Sequence, residues 1–170
     1  AAVNAAKTWD TTAGKDPDQD VMDALLAAAN VSGIHPNRVA YGHTSWSKRS
    51  LAHRAQETAG GFASAGMTEE QLAGLLNVDG VKAIKARYQS GAATKAEIVG
   101  NLVLLFTAFA GQDTEDASNI KRFTSTPDGA AGDYKVYERQ ITSKLYEIAV
   151  ERYNKMVIPY TGGIRKLTIS

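Results

Sequence analysis

The sequence contains no cysteine, which excludes disulfide frameworks, thiolate zinc sites and cysteine nucleophiles together. It also lacks an excess of either charge, with 19 Lys and Arg against 18 Asp and Glu. A dedicated nucleic-acid binder carries a basic surplus or stripe, because phosphate neutralisation supplies most of its affinity. No apolar run approaches the ~18 residues of a membrane span; the densest, residues 102–106, is strand-sized. The opening AAVNAAKTWD has neither the basic start nor the apolar centre of a secretion signal. It also has no initiator methionine, as expected of a trimmed chain or of the later part of a longer polypeptide. Internal repeats and low-complexity segments are missing too.

What is present suits one domain, or one domain with a small appendage, large enough to fold without a metal or disulfide. Asp16-Pro17-Asp18-Gln19 predicts a helix start, with Asp16 as cap, Pro17 at the first helical position and Gln19 completing a capping box. Val21, Met22, Leu25, Leu26 and Ala29 then recur at helical spacing on one face. Gly33 ends that helix and Pro36 forbids its resumption. Residues 38–41 read as a short strand, and Thr44 or Ser45 as the cap of a second helix reaching Arg54. The small-residue stretch 58–66 reads as an exposed loop. Thr68-Glu69-Glu70-Gln71 is a further capping box, with Leu72, Leu75 and Leu76 facing inward and Asn77 stopping the helix. Residues 81–88 read as a strand of mixed polarity, and 98–109 as a central strand covered on both faces. Residues 111–133 have few apolar anchors and are the weakest region for order. Beyond them, 134–141 and 145–158 alternate polar and apolar residues as half-buried strands do, and 164–169 form a last strand. The class is α/β or α+β.

The stretch GIHPNRVAYGHTSW, residues 33–46, carries two of the three histidines and a serine beside a glycine turn. A nucleophile elbow requires Gly-x-Ser-x-Gly, so that small residues permit the strained turn. Here Ser45 stands three residues after Gly42, and Trp46 occupies a place where a small residue is needed. A hydrolase reading would pair Ser45 with His43 or His53; the bland reading makes Ser45 a helix cap and Trp46 an anchor. A metal site would need His35, His43 and His53 to converge, yet none of them has the i, i+4 spacing of helical ligands. His53 is spaced to sit near Arg49 and Glu57 on a helix surface. Glu69 and Glu70 lie in a first helical turn, where they offset the dipole. Gly60-Gly61 and Gly162-Gly163 are too sparse for a phosphate loop, and Lys121-Arg122 and Arg165-Lys166 read as solvated basic pairs. No nucleophile, base and oxyanion site assemble from these residues, so no catalytic residue, cofactor or metal ligand is assigned.

The order of elements resembles one family. Asp16-Pro17-Asp18-Gln19-Asp20 matches an Asp-Pro-x-x-Asp helix start, and Gly33-Ile34-His35-Pro36-Asn37 a Gly-x-x-Pro-Asn turn before a short strand. A helix carrying Trp46, Leu51 and His53 follows, then a Thr-Glu-Glu-x-Leu-Ala helix ending in Asn77-Val78. Residues 146–159 with Glu151-Arg152, and then Ile164-Arg165-Lys166, are similar to a long strand and a returning strand. Together these resemble the major capsid proteins of tailed double-stranded DNA phages and prophages, the Hong Kong 97-like capsid fold. The resemblance implies an α+β chain: an axial α/β domain at 1–133, long antiparallel peripheral-domain strands at 134–158, and a return strand at 159–170. It covers the part of the family pattern that follows the N-terminal arm, extended loop and spine helix, none of which has a match here. The family's cross-linking lysine and asparagine have no match either.

The function implied is structural: a non-enzymatic subunit that self-assembles into the icosahedral shell around phage DNA. Its implied partners are copies of itself, in pentamers and hexamers, with scaffolding, portal or decoration proteins and sequence-independent contact with packaged DNA, and no membrane. It would be made in the bacterial cytoplasm and reside in the virion. Loops 58–66 and 111–133 are candidate surfaces between subunits. Phage-derived nanocompartments share the fold and offer a close variant. The alternatives from other classes are a small serine hydrolase using Ser45 with His43 or His53, and an adaptor or binding module.

Overall fold

The computed structural model describes residues 3–12, 14–109, 116–125, 134–142 and 145–170. In chain order the elements are β1 (Val3–Lys7), α1 (Pro17–Ser32), β2 (Arg38–Gly42), α2 (His43–Arg54), α3 (Ala59–Ala65), α4 (Glu69–Leu76), β3 (Gly80–Ile84), β4 (Arg87–Gln89), β5 (Lys95–Glu97), β6 (Leu102–Phe106), β7 (Lys121–Ser125), β8 (Lys135–Thr142), β9 (Leu145–Glu151), β10 (Tyr153–Val157) and β11 (Arg165–Ile169). The fold is α+β, and the chain divides into two units, Ala1–Asn119 with Tyr160–Ser170, and Ile120–Pro159. Among the described residues no helix is long and apolar enough to cross a membrane.

The first unit is built on a five-stranded sheet of order β1-β11-β6-β2-β3. The outer pairs, β1 with β11 and β2 with β3, are parallel; the two inner pairings of β6 are antiparallel. Register places Leu167, Val103, Val39, Tyr41, Val81 and Ala83 on one face. That face meets Val21 and Leu25 of α1, Ala52 of α2 and Leu72 and Leu76 of α4 in a single core closed by Trp9. Strand β6 is central as expected but shorter than 98–109, and only Val103 and Leu105 are fully buried. Its other face, Leu102, Leu104 and Phe106, is half-buried. At the end of β6, Asn37 holds Ala108 in both directions, accepting from its N–H at 2.8 Å and donating to its carbonyl at 3.1 Å. The GxxPN turn is therefore a clamp on the central strand.

Local chemistry explains both the successes and the corrections. Asp16 caps α1 by accepting from the backbone of Asp18 and Gln19, and Gly33 ends it at φ 71°. The Gln19 side chain does not complete a box; it donates to Asp23 at 2.8 Å. Val21 and Leu25 point inward with Ala28, but Leu26 is exposed, so the buried stripe is narrower than the sequence spacing implied. The box at Thr68 and Gln71 is complete and Asn77 adopts the left-handed conformation that stops α4, while Leu75 is exposed and Ala73 takes the inward position. Residues 58–66 are a correction: Thr58 accepts from Gly61 N and opens the helix α3. A Cβ on Gly61 would lie 2.5 Å from the His53 carbonyl. The small residues there serve close packing of α3 on α2. The strand expected at 81–88 breaks after Ile84, and β4 pairs instead with β5 in a short hairpin. Strand β1 has too little alternation to be read from sequence, and pairing with β11 is what defines it.

The second unit contains two antiparallel ribbons, β8 with β9 and β7 with β10. The chain crosses into it after Asn119 and returns at Tyr160, where the sequence suggested boundaries at 133 and 158. Strand β7 lies on the second-unit side because its hydrogen bonds run to β10. Of the stretch 111–133, residues 111–115 and 126–133 lie outside the described residues. Within the first unit, Asn119 is buried and makes three hydrogen bonds. Its N–H donates to the Thr107 carbonyl at 2.7 Å, its Oδ1 accepts from Thr107 N at 2.7 Å, and its Nδ2 donates to the Tyr160 carbonyl at 3.0 Å.

Two glycines give a paired test of this packing. A Cβ on Gly42 would sit 2.0 Å from the Gly100 carbonyl oxygen, a backbone atom, whereas one on Gly74 in α4 meets nothing within 4 Å. Gly42→Ala is expected to destabilise by about 1–3 kcal/mol through overpacking, and Gly74→Ala to stabilise by roughly 0.5–1 kcal/mol through helix propensity. Urea denaturation of both variants measures the contrast.

Candidate functional site

The polar centre of the first unit is a buried cluster of Asp18, Arg49 and His53. Arg49 donates from Nε to Asp18 Oδ1 at 2.6 Å and from Nη2 to Oδ2 at 2.7 Å, a fork that also fixes the spacing of α1 and α2. His53 Nε2 lies 3.1 Å from the same Oδ2. Residues 45, 49, 52 and 53 form the buried stripe of α2, so its inward face is largely polar. Burial pushes the Asp18 carboxyl upward, but the hydrogen bonds from His53 and Arg49, with the attraction of the Arg49 charge, outweigh it and hold the group below its ordinary 3.8. Arg49 also lies over the Trp46 ring, 5.4 Å from its centroid.

This geometry answers the hydrolase alternative. Ser45 is fully buried, and its Oγ donates to the carbonyls of Leu102 at 3.1 Å and Gly100 at 3.4 Å. Neither His43 nor His53 is its partner. His53 is committed to Asp18, and His35 places Nδ1 against the Pro36 carbonyl at 2.9 Å. Nor does Ser45 cap α2, whose N-cap, Gly42, makes no side-chain cap bond. Ser45 instead stitches the first turn of α2 to β6. Among the described residues no group of three His, Cys, Asp or Glu side chains could hold a metal ion. Glu69 has a task beyond the dipole, accepting from Lys82 Nζ at 2.9 Å and from Ala83 N at 3.1 Å. Arg165, expected to be solvated, is buried and donates to the carbonyls of Ala27, Gly162 and Ile164.

The large exposed apolar side chains of the second unit lie mostly on its strands. In the β8–β9 ribbon, Val136 opposes Val150, Glu138 opposes Ile148, and Gln140 opposes Tyr146, all on one side. The other side pairs Lys135 with Glu151 and Arg139 with Glu147, so its charges neutralise across the strands. The first side carries Val136, Tyr146, Ile148 and Val150, which are 53–66% exposed, beside Glu138 and Gln140, while Tyr137 and Ala149 pair on the other side. The alternation that suggested half-buried strands is real, but the apolar side is open. An isolated two-stranded ribbon is marginal in water, and exposed apolar side chains on one leave part of its surface uncovered in the single chain. The β7–β10 ribbon adds an open cleft of about 330 Å³ lined by Phe123, Tyr153, Arg152 and Lys155, with no carboxylate or histidine among its lining residues. Sequence alternation located the strands; it carried no signal of whether the apolar side is covered.

No family model and no curated protein matches the chain. Solved structures do. One is a phage-related protein from Bordetella bronchiseptica RB50, similar at a TM-score of 0.75 and 21% identity over 96% of this chain and 54% of that one. Another is a protein provisionally described as the capsid protein of an Escherichia coli CFT073 prophage, at a TM-score of 0.50 and 12% identity over 96% of this chain and 50% of that one. The chain thus has a phage-capsid-like fold and spans about half the length of the solved structures it matches.

The depressed Asp18 acidity has a defined consequence for stability. Its folded value lies below its unfolded one, so the stability it contributes is complete above the ordinary 3.8 and is lost as pH falls through the folded value. Asp18→Asn is expected to cost about 3–5 kcal/mol at neutral pH, because Arg49 keeps its charge in a buried place without a counterion. It should also flatten the acid limb of the stability curve. Urea midpoints of both proteins, followed from neutral pH into acid, check the size and the sign.

Proposed function

We propose that this chain is part of the shell-forming subunit of a phage or prophage, a structural rather than catalytic protein. The observation that carries the reading is the match along 96% of the chain to a phage-related protein at a TM-score of 0.75. The order of elements foreseen from the sequence supports it, as does the use of Ser45 and His53 as packing groups. Copies of the chain meet in rings of five and six that close into an icosahedral shell around the genome. Identical subunits making head-to-tail contacts close in this way whenever the rotation between neighbours permits. Scaffolding, portal or decoration proteins would bind the assembled surface, and packaged DNA would be touched without regard to sequence. The near-neutral composition suits a protein whose main contacts are with its own kind.

In this reading the apolar side of the β8–β9 ribbon is covered in the assembled particle. Light scattering and negative-stain microscopy of the protein expressed from its complete natural gene are expected to show closed shells or five- and six-membered rings. A small monodisperse species under every assembly condition would overturn the proposal. Ile148→Asp, which puts a charge in the middle of the exposed apolar stripe, is expected to reduce particle yield at least tenfold. The melting of the first unit should be left unchanged, because Ile148 lies outside its core.

A further inference from the structure

We propose that Glu69, with Lys82, guards the open edge of the central sheet, so that a second copy of the chain cannot add its own edge strand there. Strand β3 stands last in the order β1-β11-β6-β2-β3. Such a strand presents outward N–H and C=O groups, a template for pairing with another chain. Successive N–H groups of an extended strand point to opposite edges. Gly80 N donates to the Asn37 carbonyl at 3.3 Å, toward the β2 side. The same phase turns the N–H groups of Lys82 and Ile84 toward β2, and those of Val81 and Ala83 toward the edge. At Ala83 the outward N–H is already taken: it donates to Glu69 Oε1 at 3.1 Å.

The helix that leads into the strand puts the carboxylate in place. The capping box of Thr68 and Gln71 fixes the first turn of α4, Glu69 is its first residue, and Asn77 turns the chain so that β3 packs against the helix. The second oxygen of Glu69 accepts from Lys82 Nζ at 2.9 Å, and the Lys82 side chain is 76% exposed. An ionised carboxylate can only accept, so it competes directly with the carbonyl of an incoming strand for the Ala83 N–H. That strand would also have to lie across a carboxylate and an ammonium group. Charged residues, lysine above all, blunt sheet edges in this way. The device lies wholly in the first unit and is independent of the proposed shell role.

Hydrogen exchange at the Ala83 amide and sedimentation velocity, both over a concentration series, test it on the chain and on Glu69→Ala and Glu69→Gln. In dilute Glu69→Ala the Ala83 amide is expected to exchange about tenfold faster, the factor for one lost hydrogen bond of ordinary net strength. As the concentration rises, that variant associates and Ala83 regains protection, which marks association through this edge rather than through the second unit. Glu69→Gln keeps a carbonyl acceptor for the same N–H, so its Ala83 exchange stays close to that of the unchanged chain and it associates less than Glu69→Ala. Equal Ala83 exchange in the chain and in Glu69→Ala would overturn the proposal. So would a Glu69→Ala variant that exchanges faster yet sediments like the unchanged chain at every concentration, or one that associates and leaves Ala83 unprotected.

Discussion

The fork between Arg49 and Asp18 is the constraint around which the first unit is arranged. Two full charges stand at a place with almost no access to water, and taking each out of solvent costs several kcal/mol before any attraction is counted. Only close geometry offsets that cost, and the fork supplies it at 2.6 and 2.7 Å. Helices α1 and α2 can therefore approach in only one register. A slide of either helix would leave a buried charge without its counterion. His53, one turn further along α2, adds a third group to the same carboxylate, and the close seat of α3 against the His53 carbonyl depends on Gly61. A polar centre of this kind adds little net stability, but it penalises every alternative packing heavily.

The second unit follows a different logic. It holds its strands by backbone pairing, with Lys135 placed opposite Glu151 and Arg139 opposite Glu147 in the register. Glu151 also accepts from the hydroxyls of Tyr137 and Tyr153, which fixes the exit of β9. What it does not do is bury its apolar side. An α+β unit with a specified interior and a second unit with exposed apolar residues suit the proposed role of a subunit covered by contact with copies of itself. His53 and the buried Ser45 are held in internal hydrogen bonds, to Asp18 and to the carbonyls of Gly100 and Leu102.

Much of this was legible in the sequence, and what was not has identifiable causes. Helix boundaries were readable because caps are local: Asp16, Gly33, Thr68 and Asn77 satisfy backbone groups within a few residues of themselves. The central sheet was readable at 38–42, 102–106 and 165–169 because those strands are apolar or clearly alternating. Helix α3 was hidden by its own glycines, whose helical state depends on the Thr58 cap and on packing against α2. The Asp18, Arg49 and His53 cluster was hidden because its partners are 31 and 35 residues apart. One signal did exist: Ser45, Arg49, Ala52 and His53 recur at the spacing of an inward helical face. A polar stripe with core periodicity indicates a buried network, and here it outweighed the surface reading of His53. Covering of the β8–β9 ribbon leaves no trace in alternation, since an exposed apolar side and a buried one have the same pattern.

In the role proposed above, this fold is a repeated element of a shell. Cryo-electron microscopy of the largest assembly formed by the complete natural gene product tests it most directly. The account predicts density for the α+β unit at every position around five- and six-fold axes, with the apolar side of β8–β9 covered by protein. A reconstruction showing one isolated copy, or a single copy bound to an unrelated protein through that side, would contradict it.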